Sequence, residues 1–121
     1  MTLLNGNDPS DIAFIHNNIL ALIDGTVMGV LLGNCVFGND GGVKAKFFQH
    51  TLFDLQGRIL ARENPRVRPV SVDNERLIDQ AWKMIPLIKN HNCPIIDPTN
   101  DWSTMPLEDH FLSAPKMAAA V

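Results

Sequence analysis

Three stretches of six residues recur 16 positions apart and decide the fold: Asp24–Gly29 (DGTVMG), Asp40–Ala45 (DGGVKA) and Gln56–Ala61 (QGRILA). Each contains a turn residue, a glycine, a β-branched residue at the fourth position and a small residue at the sixth. A weaker copy precedes them in register at Asp8–Ala13. Recurrence at a short fixed period indicates one supersecondary unit that is stacked several times.

The repeated unit is predicted to be a β-hairpin. Asp-Gly between two apolar runs is a strong signal for a type I′ turn, which requires positive φ at both central residues. A second set of tight turns is predicted between the copies, at Asn17-Asn18, Gly33-Asn34 and Gln49-His50. A helix over Pro9–Ile23, capped by Asp8, is the alternative for the first copy. The common register of the copies favours strands.

Alternation along the strands divides their side chains between two faces. One face carries the small residue of each copy, which would let four strands approach a shared axis. Its predicted members are Ala13, Ile15, Val27, Gly29, Leu31, Val43, Ala45, Phe47, Ile59 and Ala61. The other face is apolar over the first two copies and basic over the last two. Its apolar part requires a cover.

The predicted fold is therefore α+β, with four pseudo-repeated antiparallel β-hairpin units followed by a covering helix at residues 73–88. As a single domain of 121 residues, of which 45% are hydrophobic, it divides into hairpins at 8–62, a linker at 63–72, a helical region at 73–90 and an extended, irregular C-terminal arm at 91–121. Because Pro86 lacks a backbone N–H, the helix is expected to kink or end near Ile85. A short helix is expected over Pro106–Leu112.

The run from Ile12 to Ala61, with tandem units that end in Phe-x-x-x-Gly-x-β-branched-x-small, resembles the "four-fold beta flower" repeats. The resemblance implies a small pseudo-symmetric array of β-hairpins. It carries no active site to this chain, because that family is functionally uncharacterised. The sequence departs from the family pattern where Phe or Ala replaces Tyr, and where Pro9 replaces the glycine of the first copy.

The two cysteines and the apolar segments bear on the cellular compartment. Cys35 and Cys93 lie 58 positions apart and form no CxxC pair, so free and mostly buried thiols in a reducing compartment are expected. The first 11 residues contain no Lys or Arg and lack the apolar segment of a signal peptide, so none is expected. The longest uncharged apolar stretch, Gly25–Asn39, is shorter than the roughly 20 residues of a membrane helix. A bacterial-type cytoplasm is expected, with no membrane partner.

The richest polar cluster is predicted in the C-terminal arm and consists of His91, Cys93, Asp97, Asp101 and His110. These ligand types suit zinc or another divalent metal, although their spacing matches no standard site. Turn-forming residues and a buried thiol are the alternative. No cofactor is expected and no catalytic motif is found, because neither cysteine has an orienting third group.

A basic block forms a second candidate site. Residues 41–70 hold six basic and two acidic residues. Four of the basic residues occupy matched positions on one sheet face and form a candidate anion patch: Lys44, Lys46, Arg58 and Arg62. The alternative is a solvated face that acidic residues of the covering helix neutralise. The formal net charge of −3 makes nucleic acid an unexpected partner.

Two functions stay open from the sequence. The first is a small non-enzymatic interaction or structural module, as a homodimer or with another protein, because apolar residues such as Trp102, Phe111 and Leu112 exceed what one helix covers. The second is a ligand-binding or hydrolytic protein that uses a cleft between the sheet and the C-terminal segment. A wide, flat apolar interface would favour the first function, and convergence of the polar cluster around one cavity would favour the second.

Overall fold

Eight short strands follow one another through the first half of the chain in the computed structural model, which describes residues 2–8, 11–64, 73–89 and 93–112. The strands are β1 (Thr2–Asn5), β2 (Ile12–His16), β3 (Ile19–Leu22), β4 (Val27–Leu32), β5 (Cys35–Phe37), β6 (Val43–Phe48), β7 (Thr51–Phe53) and β8 (Ile59–Glu63). Each strand pairs antiparallel with the next, and β8 pairs with β1. The sheet therefore closes on itself.

The predicted α+β fold class is wrong, because the chain is mostly a closed eight-stranded antiparallel β-barrel with short helices. An open hairpin array needs an external cover for each apolar face. Here β1 and β8 instead pair through Leu4–Glu63 and Asn5–Arg62, so one face of the sheet becomes the interior of the barrel. Strand β1 lies before the first copy of the repeat, and the repeat pattern gave no sign of it.

Turns are present at both sets of predicted positions, and those between β2 and β3, β4 and β5, and β6 and β7 have two residues as predicted. The two-residue type I′ geometry predicted at the first set is wrong, because the loops there span residues 23–26, 38–42 and 54–58. Gly25, Gly41 and Gly57 have φ values of 92°, 82° and 84°. Between β2 and β3, Asn17 and Asn18 have φ values of 53° and 64°, in the left-handed region that asparagine tolerates. Residues 12–22 form the two strands β2 and β3 rather than a helix.

The barrel interior is filled by a core cluster to which every strand contributes: Leu4, Ala13, Leu20, Met28, Leu31, Val36, Ala45, Leu52, Leu60 and Ala61. The small residues allow a narrow bore, and a Cβ added at Gly29 would lie only 2.6 Å from the carbonyl oxygen of Phe37. Helix α2 (Leu107–Leu112) inserts Leu107 and Phe111 into the same cluster. The interior is thus packed with side chains and plugged by a helix.

Three register shifts correct the predicted assignment of faces. They occur between Leu20 and Ala21, between Val36 and Phe37, and between Leu52 and Phe53, each opposite the strand that follows a glycine turn. An extra residue in one strand reverses its alternation from that point. Val27 and Val43, predicted to share a face with the small residues, pack instead in a second cluster on the outer face.

Helix α1 (Asn74–Met84) and a following 3-10 turn (Ile85–Leu87) cover part of the barrel's outer face. The outer cluster consists of Leu3, Phe14, Ile19, Ala21, Val27, Val30, Cys35 and Phe37 from the barrel and Leu77, Ala81, Met84 and Ile88 from the helical region. The predicted helix and its end near Pro86 are confirmed. No helix among the described residues is long and apolar enough to span a membrane.

The C-terminal arm runs in extended conformation along the start of β8. The backbone N–H of Ile59 donates to Asp101 O at 2.7 Å, and that of Ser103 donates to Ile59 O at 2.8 Å. Trp102 thereby forms a parallel bridge with Ile59. The short helix predicted at Pro106–Leu112 is present as α2, whereas residues 65–72 of the predicted linker lie outside the described residues.

A disulfide bond joins Cys35 of β5 to Cys93 at the start of the described arm, with their Cα atoms 5.9 Å apart. The prediction of free and mostly buried thiols is therefore wrong. Cys35 is fully buried in the outer cluster, but Cys93 is exposed. The bond ties the arm to the barrel on the side that α1 covers.

Candidate functional site

Four exposed apolar residues around α1 line one groove: Leu32, Ile78, Trp82 and Ile85, which we call the α1 face. Trp82 is 64% exposed, and the other three residues are between 38% and 40% exposed. Scattered single apolar residues are ordinary on a protein surface, but a contiguous group marks an interaction site. The sequence placed the excess apolar surface on the C-terminal arm, where Phe111 is in fact 2% exposed and belongs to the interior.

The local sequence of α1 explains why Trp82 faces outward. Asp73 caps the helix by accepting a hydrogen bond from the backbone N–H of Arg76 at 3.2 Å. Leu77, Ala81 and Met84 are the buried residues of the helix and pack on the barrel. At 100° per residue, Ile78, Trp82 and Ile85 then project together within about 60° of one another. The helix therefore has more apolar residues than its contact with the barrel can bury.

A groove of about 300 Å³ lies beside Trp82, between α1 and the turn and strands of the β3–β4 region. Its lining consists of Asn17, Asn18, Ile19, Val30, Leu31, Leu32, Ile78, Ala81, Trp82 and Ile85. The side chain of Gln80 ties the helix to this region by accepting from the backbone N–H of Val27 at 3.4 Å. Apart from the two asparagines the lining is apolar, so the groove suits an apolar side chain.

A second cavity, of about 350 Å³, separates the β1–β2 loop from the arm and is more polar. Its lining consists of Asn7, Asp8, Asp11, Ser103, Thr104, Met105 and Pro106. One carboxylate oxygen of Asp11 accepts from the backbone N–H of Leu107 at 2.9 Å, and the Ser103 hydroxyl accepts from that of Met105 at 3.2 Å. These polar groups position the arm and α2 on the barrel.

The predicted polar cluster does not line either of these cavities. His91 lies outside the described residues, and Cys93 is bonded to Cys35. Asp97 and Asp101 are exposed, and their backbone carbonyl groups lie beside Gly57 and Ile59. Within residues 2–8, 11–64, 73–89 and 93–112, no group of three or more His, Cys, Asp or Glu side chains is arranged to hold a metal.

His110, the last member of that cluster, lies on α2. It is half-buried beside Phe111, and its Nε2–H donates to the carbonyl oxygen of Lys44 at 2.8 Å. Burial lowers the pKa of His110 below its ordinary value, and the hydrogen bond to Lys44 and the charge of Asp54 only partly oppose this effect. A neutral imidazole that donates to a backbone carbonyl serves to dock α2 on β6.

The four residues of the candidate anion patch each contact a neighbouring group. Lys44 pairs with Asp40 at 3.0 Å, and Arg58 pairs with Asp54 at 2.9 Å. The ammonium group of Lys46 donates to Pro94 O at 3.1 Å, and the guanidinium group of Arg62 lies 5.5 Å from the centre of the Trp102 ring. Anion binding at this patch stays a prediction that would have to displace these contacts.

Asp54 is a buried carboxylate whose role the sequence pattern did not reveal. It is 1% exposed, and it accepts from the backbone N–H groups of Gln56 and Arg58 and from the Arg58 side chain, each at 2.9 Å. The equivalent turns use exposed aspartates: the N–H of Thr26 lowers the pKa of Asp24, and the N–H of Gly42 lowers that of Asp40. The position of an Asp two residues before Gln56 was the available signal for this anchor.

Comparisons with protein-family models, with curated proteins and with solved structures found no match to this chain. The resemblance to the four-fold beta flower repeats therefore stays a prediction. The candidate site rests on the geometry of the chain itself.

Proposed function

We propose that this chain is a small non-enzymatic protein-association module that acts through the α1 face. The observation that carries the proposal is the 64% exposure of Trp82 beside an apolar groove. Tryptophan is one of the three residue types enriched among those that dominate binding energy at interfaces. At about 25 cal/mol per Å², burial of the roughly 150 Å² that Trp82 leaves exposed would contribute on the order of 4 kcal/mol to association.

The packed barrel interior also supports this proposal. Larger barrels enclose a ligand cavity, but here the interior is filled by one cluster from all eight strands and plugged by Leu107 and Phe111. Side chains that could recognise a partner are therefore those on the outside. Among these, the α1 face combines large apolar residues with a groove that can receive another side chain.

The alternative function, ligand binding or hydrolysis in a cleft between the sheet and the C-terminal segment, would use the polar cavity beside Asp11. A cavity does lie there, but Asp11 and Ser103 already accept hydrogen bonds from the arm and α2. The candidate residues His110 and Asp101 lie elsewhere. These contacts favour the association module.

The cytoplasmic location also remains a prediction. Its support came partly from the expectation of free thiols, which the Cys35–Cys93 disulfide removes. Disulfides form and persist mainly in oxidising compartments. A cell-fractionation measurement on the tagged full chain would locate the protein.

Site-specific photocrosslinking in the producing cell tests the association function. A photoreactive amino acid at Ile78, within the α1 face, is expected to give a discrete adduct with one protein chain that mass spectrometry identifies. The matched control is the same label at Ile95, which is 93% exposed on the arm. Absence of an adduct at position 78, or an equal yield at position 95, would contradict the proposal.

A further inference from the structure

Trp82 and the groove beside it place a projecting side chain and a cavity on the same face of one molecule. The groove of about 300 Å³ is at the lower end of the volumes typical of ligand pockets, and a large side chain suits it better than an extended ligand. In an interface with two-fold symmetry, each copy presents the same patch to the other. A surface that carries both a projecting side chain and a groove that can receive it can therefore pack against the same surface of a second copy.

We propose, resting on the association function above, that the partner is a second copy of this chain. The two α1 faces pack around a two-fold axis, and the Trp82 side chain of each copy enters the groove of the other. Ile78 and Ile85 flank Trp82 and contact their equivalents across the axis. Leu32, which lines the groove, contacts the inserted indole.

The charge distribution along α1 fits an antiparallel packing of the two helices. Residues 73–79 hold three acidic residues and Arg76, whereas residues 80–89 hold Lys83 and Lys89 and no acidic residue. Antiparallel helices place the acidic half of each opposite the basic half of the other, and parallel helices would oppose like charges. Asp79 and Lys83 are more than 70% exposed, so both are accessible to a partner.

The area of the α1 face indicates how strong this dimer is. Its four residues leave on the order of 300 Å² of apolar surface exposed per copy, of which Trp82 supplies about half. Because interfaces are about 60% apolar, two copies would bury on the order of 1,000 Å² in total. That total is at the lower limit for specific interfaces, so the dimer is expected to be reversible and to form at micromolar concentrations.

Sedimentation velocity on the full-length chain, from low to high micromolar concentration, tests this inference. The wild-type chain is expected to pass from monomer to dimer over that range. Trp82→Ala should raise the dissociation constant at least about tenfold, because it removes the central anchor. Its matched control is Ile95→Ala, an exposed apolar residue outside the face that should leave the constant unchanged. Circular dichroism of each variant reports whether the barrel is intact.

A charge-reversal experiment tests the antiparallel arrangement separately. Asp79→Lys alone and Lys83→Glu alone should each weaken self-association, since each places like charges across the axis. An equimolar mixture of the two variants should recover a mixed dimer, which cannot arise from the ion pair within a single helix. Failure of the mixture to associate better than either variant would contradict the antiparallel packing.

The outcomes distinguish this inference from the proposed function. A wild-type chain that stays monomeric at high micromolar concentration overturns the inference, as does a dimer that Trp82→Ala leaves unchanged. If a different protein is identified in the adduct at position 78, the association function stands and the homodimer fails. If no adduct forms there either, both proposals fail.

Discussion

Glycine has two different roles at the turns of this barrel. At Gly25 a left-handed backbone, with φ of 92°, is the sole requirement, since a Cβ there would meet no atom within 4 Å. At Gly41, with φ of 82°, a Cβ would also collide with the carbonyl oxygen of Leu87. Gly25 is therefore constrained by its backbone conformation alone. Gly41 is constrained in addition by the 3-10 turn that packs against it.

Substitution of these two glycines should therefore have unequal effects. Gly25→Ala is expected to lower the free energy of unfolding by about 1 kcal/mol, from the left-handed conformation alone. Gly41→Ala should cost at least about 1 kcal/mol more, because the segment at Leu87 must move. Urea denaturation of the two variants measures the difference, and equal losses would show that the Gly41–Leu87 contact is unimportant.

At the scale of secondary-structure elements, helix α2 closes the barrel interior to solvent. Its six residues place Leu107 and Phe111 among the interior residues of all eight strands, and both are at most 2% exposed. Leu112 is only partly buried against the same cluster. Removal of the chain from Trp102 onward would therefore open the barrel interior to water, rather than uncover a dimer interface.

Truncation of Phe111 tests whether α2 stabilises the barrel by closing its interior. Phe111→Ala should lower the free energy of unfolding by about 3–5 kcal/mol, the range for removing a buried aromatic ring. Leu112→Ala is the matched control on the same helix and should cost clearly less, because that side chain is only partly buried. Thermal or urea denaturation reports both values. A loss at Phe111 no larger than at Leu112 would mean that the interior is stable without the helix.

At the scale of the whole molecule, two long-range contacts hold together parts of the chain that are distant in sequence. The pairing of β1 with β8 closes the barrel, and the Cys35–Cys93 disulfide bond holds the arm against it across 58 residues. Backbone hydrogen bonds continue that attachment, from Thr99 to Gly57 in the β7–β8 turn and from Ser103 to Ile59 at the start of β8. The described part of the arm is thus fixed to the barrel by the disulfide bond at Cys93 and by the packing of α2.

Removal of the disulfide should weaken the whole molecule. In the chain-entropy model, a loop of this length is worth about 4 kcal/mol, and typical measured values are about 2–4 kcal/mol. Cys35→Ala with Cys93→Ala should therefore lower the free energy of unfolding by about 3 kcal/mol in non-reducing urea. Wild-type protein under a dithiol reductant should show a similar loss. Titration of two free thiols in the untreated native protein would contradict the disulfide itself.

The parts of the fold that local chemistry governs could be predicted from the sequence. The turns at Gly25 and Gly41 follow from a requirement for positive φ, and the end of α1 follows from Pro86. Barrel closure could not be predicted in this way, because β1 lacks the repeated motif and its partner β8 lies almost 60 residues away. The bulge that turns Val27 outward could not be predicted either, because the assignment of faces assumed strict alternation along each strand.

The candidate site was predicted less well than the turns, for a similar reason. The sequence predicted a covering helix over residues 73–88 but could not say how much of its apolar surface, Trp82 included, the barrel would bury. The pairing of Cys35 with Cys93 is a long-range contact that spacing alone does not determine. The charges of Lys44 and Arg58 were visible, but their carboxylate partners within the same hairpins became apparent only with the turn geometry.

The seam between β1 and β8 has a consequence for how the barrel assembles. The seven other strand pairs join neighbours in sequence, so each can form independently as a hairpin on a microsecond timescale. The seam instead requires a loop of nearly 60 residues to close, for two paired positions. We expect hairpins to form first and the seam last, so that transient opening of the native barrel begins between Leu4 and Glu63.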